Sequence, residues 1–304
     1  MHESSRKAIF AALIANAGIS VAKFVGFLLT GAASMLAEAV HSAADTSNQG
    51  LLLLGGNRAR RKATTAHPFG YGRESYFWAF VVALVLFLLG GVFAIYEGVE
   101  KLRHPHEVEG MWVAIGILVV AIALETFSLA TAVREANHVR QGESWWAFVR
   151  HAKRPELPVV LLEDIGAEVG LLFALSGVIL AHQTGNPRWD AAGSLAIGFL
   201  LVIIAAVLVV EMKSLLIGES ASGADEKAIT EALAASPGVR KVIHLRTQHL
   251  GPDELLVAAK IELDPALTVV DVADRINGAE AALRAAVPVA RLVYLEPDVA
   301  RAEA

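Results

Sequence analysis

No cysteine occurs in the 304 residues, which excludes disulfides, thiolate metal sites and thiol catalysis. The chain also has no phosphate-binding loop, no nucleophile arrangement and no cofactor motif, so it does not read as an enzyme and no prosthetic group is expected. No basic stripe points to nucleic acid as a partner. The net charge of −5 says little by itself, because the charges fall unevenly along the chain. After the short polar stretch Met1–Lys7, no small-residue cleavage site follows an abbreviated apolar core, so the first apolar run is read as a retained helix.

What the sequence has in excess is apolar residues. Hydrophobic content is 55% and mean hydropathy +0.52, against about 45–50% apolar residues in an average soluble domain. A hydrocarbon core of roughly 30 Å takes about 20 apolar residues as helix. Six runs answer to that: Ala8–Leu29, Met35–Asn57, Tyr76–Tyr96, Met111–Val133, Leu157–Leu180 and Ala191–Val210. They lack the amphipathic stripes and polar faces that the helices of a large soluble bundle would carry. The expected architecture is an all-α, six-helix transmembrane bundle over residues 1–211 and a small soluble domain over residues 212–304.

Orientation follows from Lys and Arg in the short loops, which accumulate on the cytoplasmic side. The second-to-third connection holds Arg58, Arg60, Arg61, Lys62 and Arg73, and the fourth-to-fifth holds Arg134, Arg140, Arg150, Lys153 and Arg154. Both loops, and with them both termini, are expected in the cytoplasm. On the other side Thr30–Ser34 is uncharged, and Lys101, Arg103 and Arg188 are balanced by Glu97, Glu100, Glu107, Glu109 and Asp190.

Beyond Glu211 the hydropathy falls. Asp225–Ala235 reads as an amphipathic helix ended by Pro237-Gly238. Val239–His249 and Leu255–Asp264 read as strands joined by the turn Gly251–Glu254. Val269–Val287 is a second helix and Arg291–Glu296 a closing strand. The order αββαβ predicts a ferredoxin-like α+β domain, helices on one face of a small sheet, in the cytoplasm.

The chemistry lies in the apolar runs. Ionisable groups at bilayer depth cost about 2.5–3.5 kcal/mol on insertion scales and mark ion or proton pathways by default. His41 and Asp45 are one helical turn apart on one face. At about 1.5 Å per residue Asp45 comes roughly 15 Å into its span, near the bilayer centre. An imidazole with a carboxylate suits zinc or a similar divalent ion. The fifth run adds Glu163, Asp164 and Glu168; Asp164 and Glu168 share a face, while Glu163 is rotated by about 100°. The expected ligands are His41, Asp45 and Asp164, with Glu168 or water as the fourth. The alternative for His41 and Asp45 is a hydrogen-bonded pair that pins two helices. Glu38, a turn outward of His41, reads as a vestibule, a proton stop or a hydrated surface acid. Glu125, mid-span in the fourth run, reads as a packing acid or a proton-handling group.

The motif Ala37-Glu38-Ala39-Val40-His41-Ser42-Ala43-Ala44-Asp45, together with His67-Pro68-Phe69-Gly70-Tyr71-Gly72-Arg73-Glu74, resembles the signatures of the cation diffusion facilitator family of divalent-metal/proton antiporters. The resemblance covers nearly the whole chain. Trp145-Trp146, the basic approach Arg150–Arg154 and Val159–Asp164 resemble the zinc-transporter-nine branch. The resemblance implies a homodimer, alternating access, and a tetrahedral site built by pairs from the second and fifth spans, on which His41, Asp45 and Asp164 fall. At the fourth position, where many zinc members carry His, stands Val160, an absence shared by that branch. Glu168 is the candidate replacement.

The family's accessory sites are thinned. His67 matches a loop ligand, but Tyr71 stands where a second His would be. Lys260 and Tyr294 replace histidines of the cytoplasmic metal pair, and Glu296 keeps an acid. His244 and His249 read as surface or structural. The tail is expected to dimerise without a strong metal switch.

The reading is a zinc/proton antiporter with six spans in the lipid bilayer, at the cell's inner membrane if bacterial, whose transported substrate is Zn2+. Loss of one imidazole favours the alternative of a manganese or iron carrier. A non-transporting assembly partner is the other alternative.

Overall fold

The computed structural model describes residues 3–105, 110–140 and 142–299, with side-chain surroundings from residue 17 onward. Glu107 and Glu109, counted above among the loop acids, lie outside the described residues. Two compact units emerge, one formed by Met1–Gly56 and Phe77–Met212, the other by Asn57–Tyr76 and Lys213–Ala304.

The first unit is helical: α1 (Glu3–Thr30), α2 (Ala33–Ala59), α3 (Glu74–Val85), a π-helical stretch (Leu86–Val92), α4 (Phe93–Arg103), α5 (Met111–Arg140), the short α6 (Trp145–His151), α7 (Glu156–Thr184) and α8 (Arg188–Ile217). The α3–π–α4 rod, α5, α7 and α8 are each long and apolar enough to cross a membrane. The described apolar part of α1, Ala17–Thr30, is shorter. α2 is 27 residues long, and Glu38, His41, Asp45 and Asn48 interrupt its apolar sequence. The outward surface is greasy, with Leu28, Trp112, Val120, Phe127, Phe199 and Ile203 exposed, while Lys23, Glu38, His41, Asn48 and Glu163 are buried. Water would reverse that arrangement; lipid rewards it.

Small residues let the helices approach. A side chain at Gly198 of α8 would strike the α3–π–α4 rod at Ile95 and at the carbonyl of Gly91. A side chain at Gly193 would strike the carbonyl of Phe173 on α7. Such contacts replace the hydrophobic drive that is lost between helices in lipid.

Sharp turns close the helix ends. Gly31, at φ 63°, stops α1, and its carbonyl accepts a hydrogen bond from the Lys101 ammonium at 2.9 Å. The amides at the start of α2 are capped by a distant residue. Asp190 of α8 accepts from the Ala33 amide at 2.8 Å, the Ser34 amide at 3.3 Å and the Ser34 hydroxyl, with Lys101 Nζ 3.7 Å away. Asp190 is fully buried. It is therefore no loop charge but a carboxylate placed where the orphan amides and positive end of a helix need one.

In the second unit, α9 (Gly223–Ala234), β1 (Val239–Gly251), β2 (Glu254–Leu263), α10 (Val269–Ala286) and β3 (Leu292–Asp298) follow the order αββαβ. The sheet order is β1-β2-β3, with β1 antiparallel to β2 and β2 parallel to β3. A ferredoxin-like βαββαβ unit would carry a further leading strand; here three strands form the sheet among the described residues. Strand β2 alternates strictly in burial, with Leu255, Val257, Ala259, Ile261 and Leu263 inward, and Leu255, Val257 and Ala259 share a core with Ile229, Leu233, Ala279 and Leu283 of the helices. The segment Asn57–Tyr76 belongs to this unit because Gly72 and Gly251 touch backbone to backbone. Its His67 and Tyr71 rings lie 4.5 Å apart.

Thr268 and Asp271 form a reciprocal capping box at the start of α10. The Thr268 bonds hold the Asp271 carboxyl below its ordinary value. A depressed carboxyl stabilises the fold above the unfolded pKa of about 3.9 and loses that contribution as pH falls through the folded value. Protection of the first-turn amides of α10 from hydrogen exchange, referenced to the intrinsic rate at each pH, is expected to fall in Thr268→Ala, and in the parent chain as pH drops through the depressed Asp271 value. Asp190→Ala, which strands buried amides and Lys101, is expected to destabilise the helical unit by about 2 kcal/mol or more, read as a lower thermal midpoint in detergent, with a smaller loss in Asp190→Asn.

Candidate metal centre

The second helix presents two adjacent polar stripes. Glu38 and Ser42, spaced i, i+4, meet Lys23 of α1. His41, Asp45 and Asn48, spaced i, i+4, i+7, form the other. His41 Nε2 and Asp45 Oδ2 are 3.5 Å apart, yet neither ring nitrogen has a hydrogen-bond partner. Asp45 Oδ1 and Asn48 Oδ1 are likewise buried without one. The pinning alternative for His41 and Asp45 required a hydrogen bond, and the geometry does not provide one.

That separation has a direct chemical meaning. Two donors on a tetrahedral zinc, at bond lengths near 2.0–2.1 Å, sit about 3.3–3.4 Å apart. The pair is already spaced as one edge of such a site. Burial without hydrogen bonds is costly for polar groups, and a cation between the donors would supply the missing partner.

The fifth-span acids divide. Glu163 faces α2: it is buried, and the Asn48 amide donates to its Oε1 at 2.7 Å. Gly170, two turns further along α7, lies against Glu38, whose Oε1 a Cβ placed there would strike. Asp164 and Glu168 turn toward α5, Asp164 accepting from the Ser128 hydroxyl at 3.1 Å and Glu168 from the Thr126 hydroxyl at 3.0 Å. Glu168 Oε2 remains buried without a partner. So the structure brings His41 and Asp45 together on α2, and holds Asp164 and Glu168 on another seam. Among the described residues no three His, Asp or Glu side chains converge as a metal cluster. The carboxylates of Glu163, Glu125 and Asp164 nevertheless lie within electrostatic reach of Asp45.

Glu38 is not a hydrated acid: it is fully buried and paired with Lys23 at 3.1 Å. Glu125 is half-buried, in reach of Lys23 and Glu168. The sequence reading missed Lys23 and Asn48. A lone lysine inside the first apolar run was the available signal for the one, and a further polar residue a turn beyond Asp45 for the other. In the tail, His244 is exposed and His249 buried. Lys260 bridges Glu296 at 3.0 Å and Asp298 at 3.1 Å, and these bonds push its ammonium above the ordinary value.

Comparison with known proteins gives two matches to family profiles: the cation efflux transmembrane domain over residues 9–217 and the cation efflux protein cytoplasmic domain over residues 221–298. The human mitochondrial proton-coupled zinc antiporter SLC30A9 is 32% identical over 260 residues, covering 85% of this chain and 46% of that one. Metal tolerance protein C4 of Arabidopsis thaliana is 27% identical over 269 residues, covering 88% and 59% respectively. The magnetosome protein MamM of Magnetospirillum gryphiswaldense is 27% identical over 252 residues, covering 81% and 73%. The chain thus spans about half the length of the SLC30A9 relatives. A solved MamM CTD matches at 27% identity over 25% of this chain and 96% of that one, with a TM-score of 0.24. With both of its parts matched and its likeness running to the SLC30A9 branch, the chain belongs to the cation efflux family, that of the cation diffusion facilitators.

Proposed function

We propose that this protein exchanges zinc for protons across a membrane by alternating access, with His41 and Asp45 as the fixed half of the cargo site. The observation that carries the reading is the 3.5 Å spacing of His41 Nε2, on a fully buried ring, and Oδ2 of the partly buried Asp45, with no hydrogen bond between them. Asp164 and Glu168 supply the other half. On a helix they lie roughly 100–140° around from Glu163, so a rotation of α7 about its axis would exchange the Glu163 face for theirs. The hydroxyls of Ser128 and Thr126 hold them meanwhile.

Proton coupling follows from the ligands themselves. Carboxylates and imidazole bind metal only when deprotonated, so a proton arriving at any of them displaces the ion. The proton-coupled relative supports the same reading. Six spans are proposed, with α1 and α2 crossing beside the four strongly apolar rods. Membership of the basic loop Asn57–Tyr76 in the tail unit supports placing that loop and the tail on one side, the cytoplasm. The matched cytoplasmic domain supports a homodimer. A manganese carrier is the second reading, favoured by one observation: the α7 half offers only oxygen.

In liposomes loaded with a pH reporter, zinc is expected to drive proton movement that Asp45→Ala abolishes and Glu168→Ala reduces at least tenfold. A response to manganese exceeding that to zinc would overturn the zinc assignment, and silence with both metals in folded protein would overturn coupled antiport. Asn48→Ala is expected to lower the thermal midpoint in detergent, because it leaves Glu163 buried without its donor at a cost of about 1–3 kcal/mol or more. The double change Asn48→Leu with Glu163→Leu is expected to restore much of that loss.

A further inference from the structure

Lys23 is fully buried, and the transport reading above does not use it. Its ammonium lies 3.1 Å from Glu38 Oε2 and donates to Ser42 Oγ at 2.7 Å. Glu38 is also fully buried; its Oε1 has no hydrogen-bond partner and is pressed against Gly170 of α7. A buried ion pair is weak support for stability, since apolar residues of similar volume often do as well. Its placement is more telling. Glu38 precedes His41 by one helical turn, Ser42 adjoins His41, and the Lys23 charge reaches His41, Asp45 and Glu125.

The charge on α2 explains what such a pair can do. Glu38 and Asp45 flank His41 on one helix, two carboxylates around one imidazole. Were both uncompensated, α2 would present a harder, more negative site, which favours oxygen-seeking ions and holds any divalent ion more tightly. An ammonium fixed on Glu38 cancels one of those charges and also occupies the carboxylate sterically.

We propose that Lys23 is a specificity-determining residue of the cargo site: its tethered ammonium neutralises Glu38, so that α2 offers the ion one imidazole and one net negative charge instead of two carboxylates. The inference rests on the metal-carrier reading. A unit charge left uncompensated about one helical turn from a bound cation suffices for at least a tenfold change in affinity. Its sign depends on which partner is removed, and that sign separates control of the ion from mere support of the fold.

The test is initial-rate zinc and manganese uptake by the full chain in liposomes, for wild type, Lys23→Met, Glu38→Gln, the double variant and Lys23→Arg. Lys23→Met is expected to lower KM about tenfold, slow turnover and raise manganese relative to zinc. Glu38→Gln, leaving the ammonium unopposed, is expected to raise KM about tenfold. The double variant and Lys23→Arg should lie within about threefold of wild type. A structural prop would damage both single variants alike, so KM shifts of the same direction, or none, overturn the inference. If Lys23→Met does not fold, Glu38→Gln against the double variant carries the sign, and equal KM values overturn it. Wild-type protein that moves neither metal overturns the carrier reading and this inference together; wild-type transport with unshifted KM overturns the inference alone.

Discussion

The polar face of α2 is the constraint around which the helical unit is arranged. Glu38, His41, Ser42, Asp45 and Asn48 fall within three turns of one helix, and lipid can solvate none of them. Each must find its partner in protein. Lys23 serves Glu38 and Ser42 from α1, and Glu163 takes the Asn48 amide from α7. Asp190 secures the helix's first amides from α8. Three neighbouring helices thus each contribute one charged side chain to hold a single polar helix. What they leave unmet is the pair at the centre, His41 and Asp45. Glu38 and Asn48 each keep one oxygen unpartnered but hold a partner through their other polar atom, whereas neither ring nitrogen of His41 has one; a buried imidazole left wholly unpaired beside a carboxylate is the physical signature of a ligand site.

Two lysines show how burial changes the meaning of one chemistry. Lys260 bridges Glu296 and Asp298 in the tail, but Glu296 is largely solvent-exposed. Water and salt screen such a pair, and its net contribution is small. Lys23 with Glu38 has the same composition without the water. There the field is screened little, and it reaches the groups proposed to bind the ion.

Much of this was legible in the sequence because the relevant physics is local or periodic. Apolar length marked the rods, the turn Gly251–Glu254 between two strand-like runs marked the β1–β2 hairpin, and i, i+4 spacing put His41 beside Asp45. What could not be read is which way a helix turns. Glu163, Asp164 and Glu168 are equally polar on paper; only packing decides that Glu163 meets α2 while its neighbours meet α5. Asp190 shows the same limit. Its position at the end of an apolar run suggested a loop charge, whereas its role is set by amides 156 and 157 residues away in sequence. Lys23 was visible as an anomaly, but its partner was not.

The division of the α7 acids bears on how the proposed carrier would work. A site with all four ligands permanently gathered would bind metal as a closed structural centre does, tightly and without release. A site in two halves, each held by weak partners, can be made and unmade. Asp164 and Glu168 are held by single hydroxyl bonds, each worth a few kcal/mol at most. The seam between α2 and α7 is narrow where Gly170 meets Glu38, with no side chain on the glycine to interlock. Rotation there exchanges one hydrogen-bonded set for another and leaves no carboxylate stranded in lipid, provided that the cation or a proton arrives as Glu163 departs. On this reading the coupling of ion to proton is a consequence of burial: the helix is free to turn only when every acid it carries is paired or neutral.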